Sequence, residues 1–312
     1  MLVALAGGVG AARLLAGLLD VVDPASVTAV INTADDLVLH GLSISPDIDT
    51  VTYTLAGLDD REQGWGLAGE SWTVMGALEA LGGTSWFRLG DRDLATHLYR
   101  SERLARGATL SQVTAELAAR RGLRCTLLPM SDDPVRTVVT VDAPGGDTEE
   151  ISFQDYFVRL HHAVVVRSLR FAGAAAAHPA PGVLDALAEA ELIIGCPSNP
   201  LVSVGPLLAV PGIEDLLVRR RDDVVAVSPI VGGVALKGPA DRLLRELGHE
   251  PSALGVARLY ERWVGTLVID DVDAALAPAI EALGVRCIVT DTVMADRSRA
   301  AALGTVVRDA RR

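Results

Sequence analysis

The sequence predicts an α/β fold: a doubly wound, mainly parallel Rossmann-like sheet that carries an inserted helical and hairpin subdomain. The first fifty residues read as strand, glycine loop, helix, strand and acidic loop, which is the opening of a βαβ unit. Half of the 312 residues are apolar and only 4% are aromatic, a composition that suits a parallel sheet covered by helices. In the C-terminal half, helical patterns separate apolar runs at residues 192–195, 224–227, 266–269 and 286–290.

The two N-terminal loops are predicted to face a ligand. A strand at residues 2–6 runs into Gly-Gly-Val-Gly at residues 7–10, and a strand at residues 27–31 runs into Asn-Thr-Ala-Asp-Asp at residues 32–36. Ligands of open α/β sheets bind beyond the carboxyl ends of the strands. The glycine loop therefore offers backbone N–H groups to an anion, and the acidic loop offers carboxylates to a cation or a hydroxyl.

We assign residues 1–312 to one domain and treat residues 59–171 as a large insertion or lid subdomain within it, because the alternation of strands and helices is interrupted there. The elements predicted in this region are helices at 71–81 and 109–121, a strand at 124–129, and a hairpin with arms at 138–142 and 148–153 around a turn at 143–147.

Net charge and cysteine usage argue against several classes of partner. The charge of −12 disfavours nucleic acid and an anionic membrane surface. Cys125, Cys196 and Cys287 lie far apart without metal-ligand spacing and read as reduced core residues of a cytoplasmic protein. The N-terminal apolar run lacks the basic region of a signal peptide, and two arginines break the longest later apolar stretch, residues 163–177. We therefore expect no membrane span.

The glycine loop and the first acidic residues also have structural explanations. The loop lacks the Lys-Ser/Thr pair of a P-loop and the full G-x-G-x-x-G spacing, so a tight turn explains it as well as a phosphate site does. Asp35 and Asp36 are typical of an exposed turn. Asp47 lies in the first turn of a helix that Pro46 opens after the N-cap residue Ser45, where an acidic side chain offsets the helix dipole by roughly 0.3–1 kcal/mol.

Asp49 is the better functional candidate in that helix. It falls at the fourth helical position, where capping does not explain it. Ile48, Val51 and Leu55 share a different face, which is predicted to be buried. Asp49 is therefore expected to point away from the core.

Two further loops follow apolar strands: Cys-Pro-Ser-Asn-Pro at residues 196–200 and Val-Ser-Pro-Ile-Val-Gly-Gly at residues 227–233. His97 and the Asp132-Asp133 pair are explained as a packed histidine and a turn. The sequence shows no Ser-His-Asp, Cys-His or zinc-binding pattern, whereas carboxylate-rich loops beside a phosphate loop suit Mg²⁺-assisted transfer at phosphorus. The residues alone indicate an α/β enzyme or binder for a phosphorylated, nucleotide-like ligand.

Taken together, these motifs resemble the 2-phospho-L-lactate transferase family, which also contains the phosphoenolpyruvate transferases of coenzyme F420 biosynthesis. The matching segments occur in family order, at residues 7–10, 32–36, 45–51, 89–97, 130–135, 153–156, 197–200, 225–233 and 238–240. The resemblance implies a donor made of guanosine diphosphate esterified to phospholactate or phosphoenolpyruvate, and the deazaflavin Fo as acceptor. The ribityl hydroxyl of Fo attacks phosphorus and GMP leaves. It also implies Mg²⁺ and a homodimer, and the arginine-rich, lysine-poor composition favours the enolpyruvyl branch.

The site residues expected from the motifs and the resemblance fall into four groups. The catalytic carboxylates are Asp47 and Asp49. The acceptor contacts are Asp49, Arg88, Asp91 and His97. The nucleotide and phosphate contacts are Gly8, Gly10, Ser198, Asn199, Ser228 and Gly232. The metal ligands are Asp36, Asp47 and Asp49.

Two alternatives of different classes stay open. The related gluconeogenesis-factor family shares the glycine loop and the Asn-Thr-acidic loop but binds sugar nucleotides as a regulator. We expect it to lack the segments at residues 45–50, 90–97 and 153–156. A nicotinamide-dependent oxidoreductase would rest on the glycine loop alone.

Overall fold

The computed structural model describes residues 1–143 and 145–311, so Pro144 of the predicted turn at 143–147 lies outside the described residues. The strands are β1 Leu2–Ala6, β2 Val27–Ile31, β3 Leu37–Leu39, β4 Leu42–Ile44, β5 Thr126–Pro129, β6 Arg136–Asp142, β7 Thr148–Ser152, β8 Val166–Ala172, β9 Leu192–Gly195, β10 Val224–Val227, β11 Ile230–Val231, β12 Val234–Ala235, β13 Thr266–Ile269 and β14 Arg286–Val289. The α-helices are α1 Val9–Leu18, α2 Pro46–Leu55, α3 Thr73–Ala80, α4 Asp93–Ala105, α5 Leu110–Arg120, α6 Val183–Glu189, α7 Gly205–Ala209, α8 Ile213–Arg219, α9 Ala240–Glu246, α10 Ala253–Tyr260, α11 Ala277–Glu281 and α12 Arg297–Asp309.

Seven strands form the central sheet in the order β14-β13-β10-β9-β1-β2-β5, and every neighbouring pair is parallel. From β1 the chain proceeds to β2 and β5 on one side and later to β9, β10, β13 and β14 on the other. The predicted doubly wound, parallel sheet is therefore confirmed. The strand order reverses between β1 and β9, so the crevice beyond their carboxyl ends is where such a sheet binds ligands.

Helices cover both faces of the sheet because alternate residues of each strand point to opposite sides. Val3 and Leu5 belong to one buried cluster, and Ala4 and Ala6 belong to the other. On the second side, α1 packs closely on α12. A Cβ atom added to Gly17 would lie 2.2 Å from the carbonyl carbon of Ala300, so only glycine allows this approach.

The remaining strands lie outside the central sheet. β7, β6 and β8 form an antiparallel sheet, in which Val138 pairs with Ser152, so the predicted hairpin is confirmed. β3 pairs with β4 and β11 with β12 in two short hairpins. The predicted insertion at 59–171 contains β5, an edge strand of the central sheet, whereas α3 to α5 and β6 to β8 lie off it. Its status as a subdomain stays a prediction.

In the described part of the chain, no single helix is both long and apolar enough to cross a membrane. A pair of helical segments bent by 95°, Pro200–Ala209 and Ile213–Arg219, passes that test by length and composition taken together. Leu207, Ile213 and Leu217 of this pair are fully buried in the core.

Candidate active site

Asn32 brings two carboxylates together at the carboxyl end of β2. This side chain is completely buried, and its Nδ2 donates to Asp35 Oδ2 at 3.2 Å and to Asp47 Oδ2 at 3.0 Å. Its Oδ1 accepts a hydrogen bond from the backbone N–H of Ala34 at 3.0 Å, which fixes the orientation of the amide. Asn32 thus joins the acidic loop to the first turn of α2. No role was predicted for Asn32, although it begins the acidic motif.

Asp47 lies directly against the glycine loop. A Cβ atom on Gly8 would stand 2.8 Å from Asp47 Oδ1, so the missing side chain makes room for the carboxylate. Gly8 is also the N-cap residue of α1 and supplies no side-chain cap. The first N–H groups of the helix have no partner within it, and they carry the positive end of its dipole. Carboxylates and the N–H groups of the first helical turn therefore lie side by side at the switch point.

Burial raises the pKa of each carboxyl group in this crevice. The pKa of Asp47 rises to about 6, with the Asn32 hydrogen bond partly offsetting the effect. The pKa of Asp36 rises to about 7, although Ser45 Oγ donates to its Oδ2 at 2.7 Å. The pKa of Asp35 is raised well above its ordinary value by burial and then by the charge of Asp47. Ser45 occupies the predicted N-cap position, but its hydroxyl donates to Asp36 and makes no capping hydrogen bond with the helix.

The expected metal ligands Asp36, Asp47 and Asp49 stay a prediction. Among the described residues, no three His, Cys, Asp or Glu side chains group so as to hold a metal by themselves. Asp49 is hydrogen-bonded to Arg100, whereas Asp36 is bonded to Ser45 and Asp47 to Asn32. Asp35 fits better with Asp47, because both converge on Asn32 and Asp35 Oδ1 is a buried atom with no hydrogen-bond partner in the described residues. Mg²⁺ is commonly held by one or two carboxylates together with substrate phosphates. Asp35 and Asp47 fit that pattern.

Asp49 does point away from the core face, but it points at Arg100 of α4 rather than at open space. Arg100 Nη1 donates to Asp49 Oδ2 at 3.0 Å, and Arg100 Nη2 donates to Asp49 Oδ1. Both side chains are buried. Burial disfavours the charge of Arg100, but the ion pair with Asp49 outweighs it and raises the pKa of Arg100. Asp49 was preferred to Asp47 as a functional candidate because helix capping does not explain it, but the ion pair with Arg100 gives Asp49 a structural explanation as well.

Two other expected acceptor contacts also have partners within the protein. His97 is 1% exposed, with Nε2 3.1 Å from Asp93 Oδ2 and Nδ1 3.3 Å from Arg100 Nη1. Asp91 accepts hydrogen bonds from Ser71 Oγ at 2.6 Å and from two backbone N–H groups at the start of α3. The Ser71 hydrogen bond in particular lowers the pKa of Asp91 to about 2. These geometries give His97 and Asp91 structural roles.

Arg88 is the expected acceptor contact that remains exposed. Its guanidinium lies over the ring of Trp72, 4.2 Å from the centroid. The two side chains border a cavity of about 350 Å³, whose lining is Trp72, Met75, Gly76, Glu79, Ser85 and Arg88. A second cavity of about 330 Å³ borders Asp36, Ser45 and Arg136. An aromatic ring beside a cation suits a flat, electron-rich ligand.

The expected nucleotide contacts lie at the strand ends as predicted, but several of their side chains stabilise their own loops. Ser198 Oγ accepts from Gly7 N at 3.1 Å, and Asn199 Oδ1 accepts from Leu201 N at 2.9 Å. Ser228 Oγ donates to the carbonyl oxygen of Ile230 at 3.0 Å. Backbone N–H groups, rather than these side chains, are what the loops offer to an anion.

Two glycines of the expected nucleotide set are explained by packing. A Cβ atom on Gly10 would stand 2.2 Å from the carbonyl oxygen of Pro197, so Gly10 allows the β1 loop to contact the β9 loop. Gly232 has a positive φ of 59°, and its N–H donates to Asp273 Oδ2 at 3.0 Å. A side chain at Gly10 would separate the two loops before it could meet a ligand.

Comparison with known proteins decides the family. The family described as 2-phospho-L-lactate transferase CofD matches residues 2–307. This chain belongs to that family. It is 46% identical to a phosphoenolpyruvate transferase of Kitasatospora aureofaciens, over 95% of this chain and 92% of the relative. It is 37% identical to a 2-phospho-L-lactate transferase of Methanosarcina mazei, over 96% of this chain and 97% of the relative.

The fold of this CofD family member is also similar to that of a solved UPF0052 family protein from Bacillus halodurans. The TM-score is 0.61, with 98% of each chain covered and 16% sequence identity. At that identity the likeness concerns the fold alone.

Proposed function

We propose that the chain transfers a phosphoenolpyruvyl group, or a 2-phospho-L-lactyl group, from its guanosine diphosphate-activated donor to the ribityl hydroxyl of the deazaflavin Fo. The observation that carries the proposal is the convergence of Asp35 and Asp47 on Asn32. They meet beside the first turn of α1 at the switch point of the sheet, in a chain that matches the transferase family over residues 2–307.

The proposed chemistry is a direct displacement at phosphorus. The hydroxyl oxygen of Fo forms a bond to the phosphorus that carries the three-carbon acid. The bond from that phosphorus to the oxygen bridging to GMP breaks, GMP leaves, and the hydroxyl proton passes to a carboxylate or to water. When bound, Mg²⁺ supplies charge neutralisation at the phosphates, and Asp35 and Asp47 are the side chains that would hold it. The N–H groups at the start of α1 stabilise the same negative charge.

The acceptor is proposed to lie between Arg88 and Asp49. The cavity beside Arg88 and Trp72 offers an aromatic face and a cation to the deazaflavin ring. Asp49 accepts the hydrogen bond of the attacking hydroxyl and so orients it. Because Arg100 already holds this carboxylate, the proposed contribution of Asp49 is to orient the hydroxyl rather than to remove its proton.

We favour phosphoenolpyruvate as the three-carbon acid. The relatives named phosphoenolpyruvate transferase that we compared are 41–46% identical to this chain, whereas the two named 2-phospho-L-lactate transferase are each 37% identical. We further propose a cytoplasmic homodimer, which sedimentation of the purified protein would test.

Product analysis tests the proposal. Purified protein is incubated with Fo, Mg²⁺ and each activated donor, and the products are identified by mass spectrometry. We expect GMP together with a product that is lighter by two hydrogens with the enolpyruvyl donor than with the lactyl donor. The absence of both products, combined with tight binding of a sugar nucleotide, would instead support the regulatory alternative.

A further inference from the structure

Arg100 has no assigned part in the proposed reaction, yet it is completely buried in the interface between α2 and α4. Its two terminal nitrogens bind the two oxygens of Asp49. Nη1 also lies 3.3 Å from the carbonyl oxygen of Ser43 and 3.3 Å from His97 Nδ1. A guanidinium bound on several sides is a rigid planar fork, and it fixes the plane of the carboxylate that it holds.

The surroundings of Arg100 form a continuous polar network. Asp93, His97 and Arg100 share one face of α4, since they are spaced four and three residues apart. Across the interface, Tyr53 of α2 donates its hydroxyl to Asp93 Oδ1 at 2.5 Å. His97 lies between Asp93 and Arg100, and Arg100 donates hydrogen bonds to Asp49 on α2. The network therefore holds α2 at two points one turn apart.

We infer that Arg100 is the positioning residue that orients Asp49 toward the acceptor hydroxyl. This inference rests on the proposed function, in which Asp49 contacts Fo. A carboxylate has about four lone-pair sites, so the two bonds from Arg100 leave acceptor capacity for a hydroxyl. The Asp49 side chain is still 8% exposed, whereas that of Arg100 is 1% exposed. Arg100 thus acts on the acceptor through Asp49 and does not touch it.

The same helix supplies a matched control. Arg103, three residues after Arg100 on α4, makes an equivalent two-point contact with Glu116 of α5, at 3.0 Å through Nε and 2.7 Å through Nη2. That pair is about one-third exposed and anchors α4 to α5 rather than to α2. Removing Arg103 therefore tests the effect of losing an arginine pair on α4 without changing Asp49.

The experiment measures the dissociation constant of Fo from deazaflavin fluorescence, and the KM values of Fo and of the donor, for four variants. They are Arg100→Gln, Asp49→Asn, the double variant and Arg103→Gln. We expect Arg100→Gln to weaken Fo binding by about 10–100-fold, the usual cost of losing a residue that orients a ligand-contacting group. The donor KM should change by less than about 3-fold. Arg103→Gln should leave both constants near the wild-type values.

The double variant keeps the inference testable if Arg100→Gln folds poorly, because it leaves no buried charge without a partner. If Arg100 acts through Asp49, adding Arg100→Gln to Asp49→Asn should weaken Fo binding by less than about 2-fold further. Additive losses, equal losses for Fo and donor, or the same loss in Arg103→Gln would overturn the inference. A wild-type protein that binds Fo but forms no product would count against the proposed function, and the binding constants would still decide the role of Arg100.

Discussion

Asp47 and Asp49 stand two residues apart on α2 and lie in opposite electrostatic environments. Asp47 faces Asn32 and Asp35 in the crevice with no cation bonded to it in the described structure, and burial raises its pKa to about 6. Asp49 faces the α2–α4 interface and is held by Arg100. In the same interface burial opposes the ionisation of Asp93, but the hydrogen bond and charge of His97 outweigh it and lower the pKa of Asp93.

The difference distinguishes a carboxylate with no protein cation beside it, Asp47, from a carboxylate that is paired with an arginine and links two helices, Asp49. Where the protein supplies the cation, the charge is satisfied before any ligand binds, and the side chain fixes two helices. Where carboxylates lie close together without a protein cation, a bound metal cation stabilises their charges most. Four experiments on the described carboxylates and on Arg88 test this contrast.

The largest effect is expected for Asp47→Asn. It removes a proposed metal-holding and catalytic carboxylate, so kcat should fall by about 10²–10⁴-fold, the range found when a single catalytic group is lost. Thermal stability should be unchanged or higher, because a crowded negative charge is removed. Gly8→Ala should lower kcat in the same direction, since its Cβ would stand 2.8 Å from Asp47 Oδ1. Near wild-type turnover in Asp47→Asn would remove this residue from the mechanism.

Asp49→Asn should mainly affect stability and acceptor binding. It leaves the buried Arg100 without its anionic partner, so urea unfolding should show a loss of about 3–5 kcal/mol. Glu116→Gln is the matched control, because Glu116 and its partner Arg103 are partly exposed and water screens their charges, so the expected loss is much smaller. Equal losses in the two variants would show that the buried pair has no special stabilising role.

The metal-free protein should lose stability as pH rises from about 5 to about 8. The folded-state pKa values of Asp47 and Asp36 lie above their ordinary values, at about 6 and about 7. The folded state therefore binds these protons more tightly than the unfolded state, and their stabilising contribution is lost as pH rises through those values. The two folded values lie about one and two pKa units above pH 5, and each unit is worth about 1.4 kcal/mol, so we expect a total change of up to about 4 kcal/mol.

Urea unfolding at several pH values, in chelator and in excess Mg²⁺, measures this effect. Mg²⁺ should stabilise the protein most at the higher pH, where the carboxylates are ionised, and should do so less in Asp47→Asn. A stability that rises with pH in chelator would contradict the assignment of raised pKa values to the crevice.

Arg88→Ala should have the most selective effect. The KM for Fo should rise by about 10-fold, with little change in stability, because an exposed cation–π contact contributes only about 0.5–1 kcal/mol. Arg120→Ala is a suitable control, since Arg120 is also exposed and lies over an aromatic ring, that of Tyr99, at 5.3 Å. If Arg120→Ala raised the KM for Fo equally, the Arg88 cavity would not be the acceptor site.

The parallel sheet could be predicted from the sequence because its strands are short, continuously apolar and bounded by loop residues. Helix α5 was predicted within a residue at each end, because Thr109 forms a capping box and Gly122 adopts a positive φ of 73°. These signals are local, and the residues that carry them are neighbours in the chain.

The partners across the site could not be predicted in the same way. The helical position of Asp49 indicates which face it occupies, but Arg100, which lies opposite, is 51 residues away in the sequence. The polar residues Ser198, Asn199 and Ser228 were expected to meet a ligand, and they bond to the protein backbone instead. Sequence placed these groups at the correct strand ends, but their hydrogen-bond partners depend on tertiary contacts.

The close packing of α1 on α12 has a consequence for biosynthesis. Gly17 of α1 contacts the backbone of Ala300, and Arg297 is paired with Asp20 across 277 residues of sequence. α1 carries the glycine loop, so a helix that lies almost 300 residues further along the sequence packs against the element that holds residues 7–10. At about 5–20 residues per second, translation reaches α12 roughly 15–60 seconds after it has passed the glycine loop. A nascent chain halted before α12 should therefore bind the proposed GDP portion of the donor more weakly than a chain that includes α12, even though its glycine loop has already been translated.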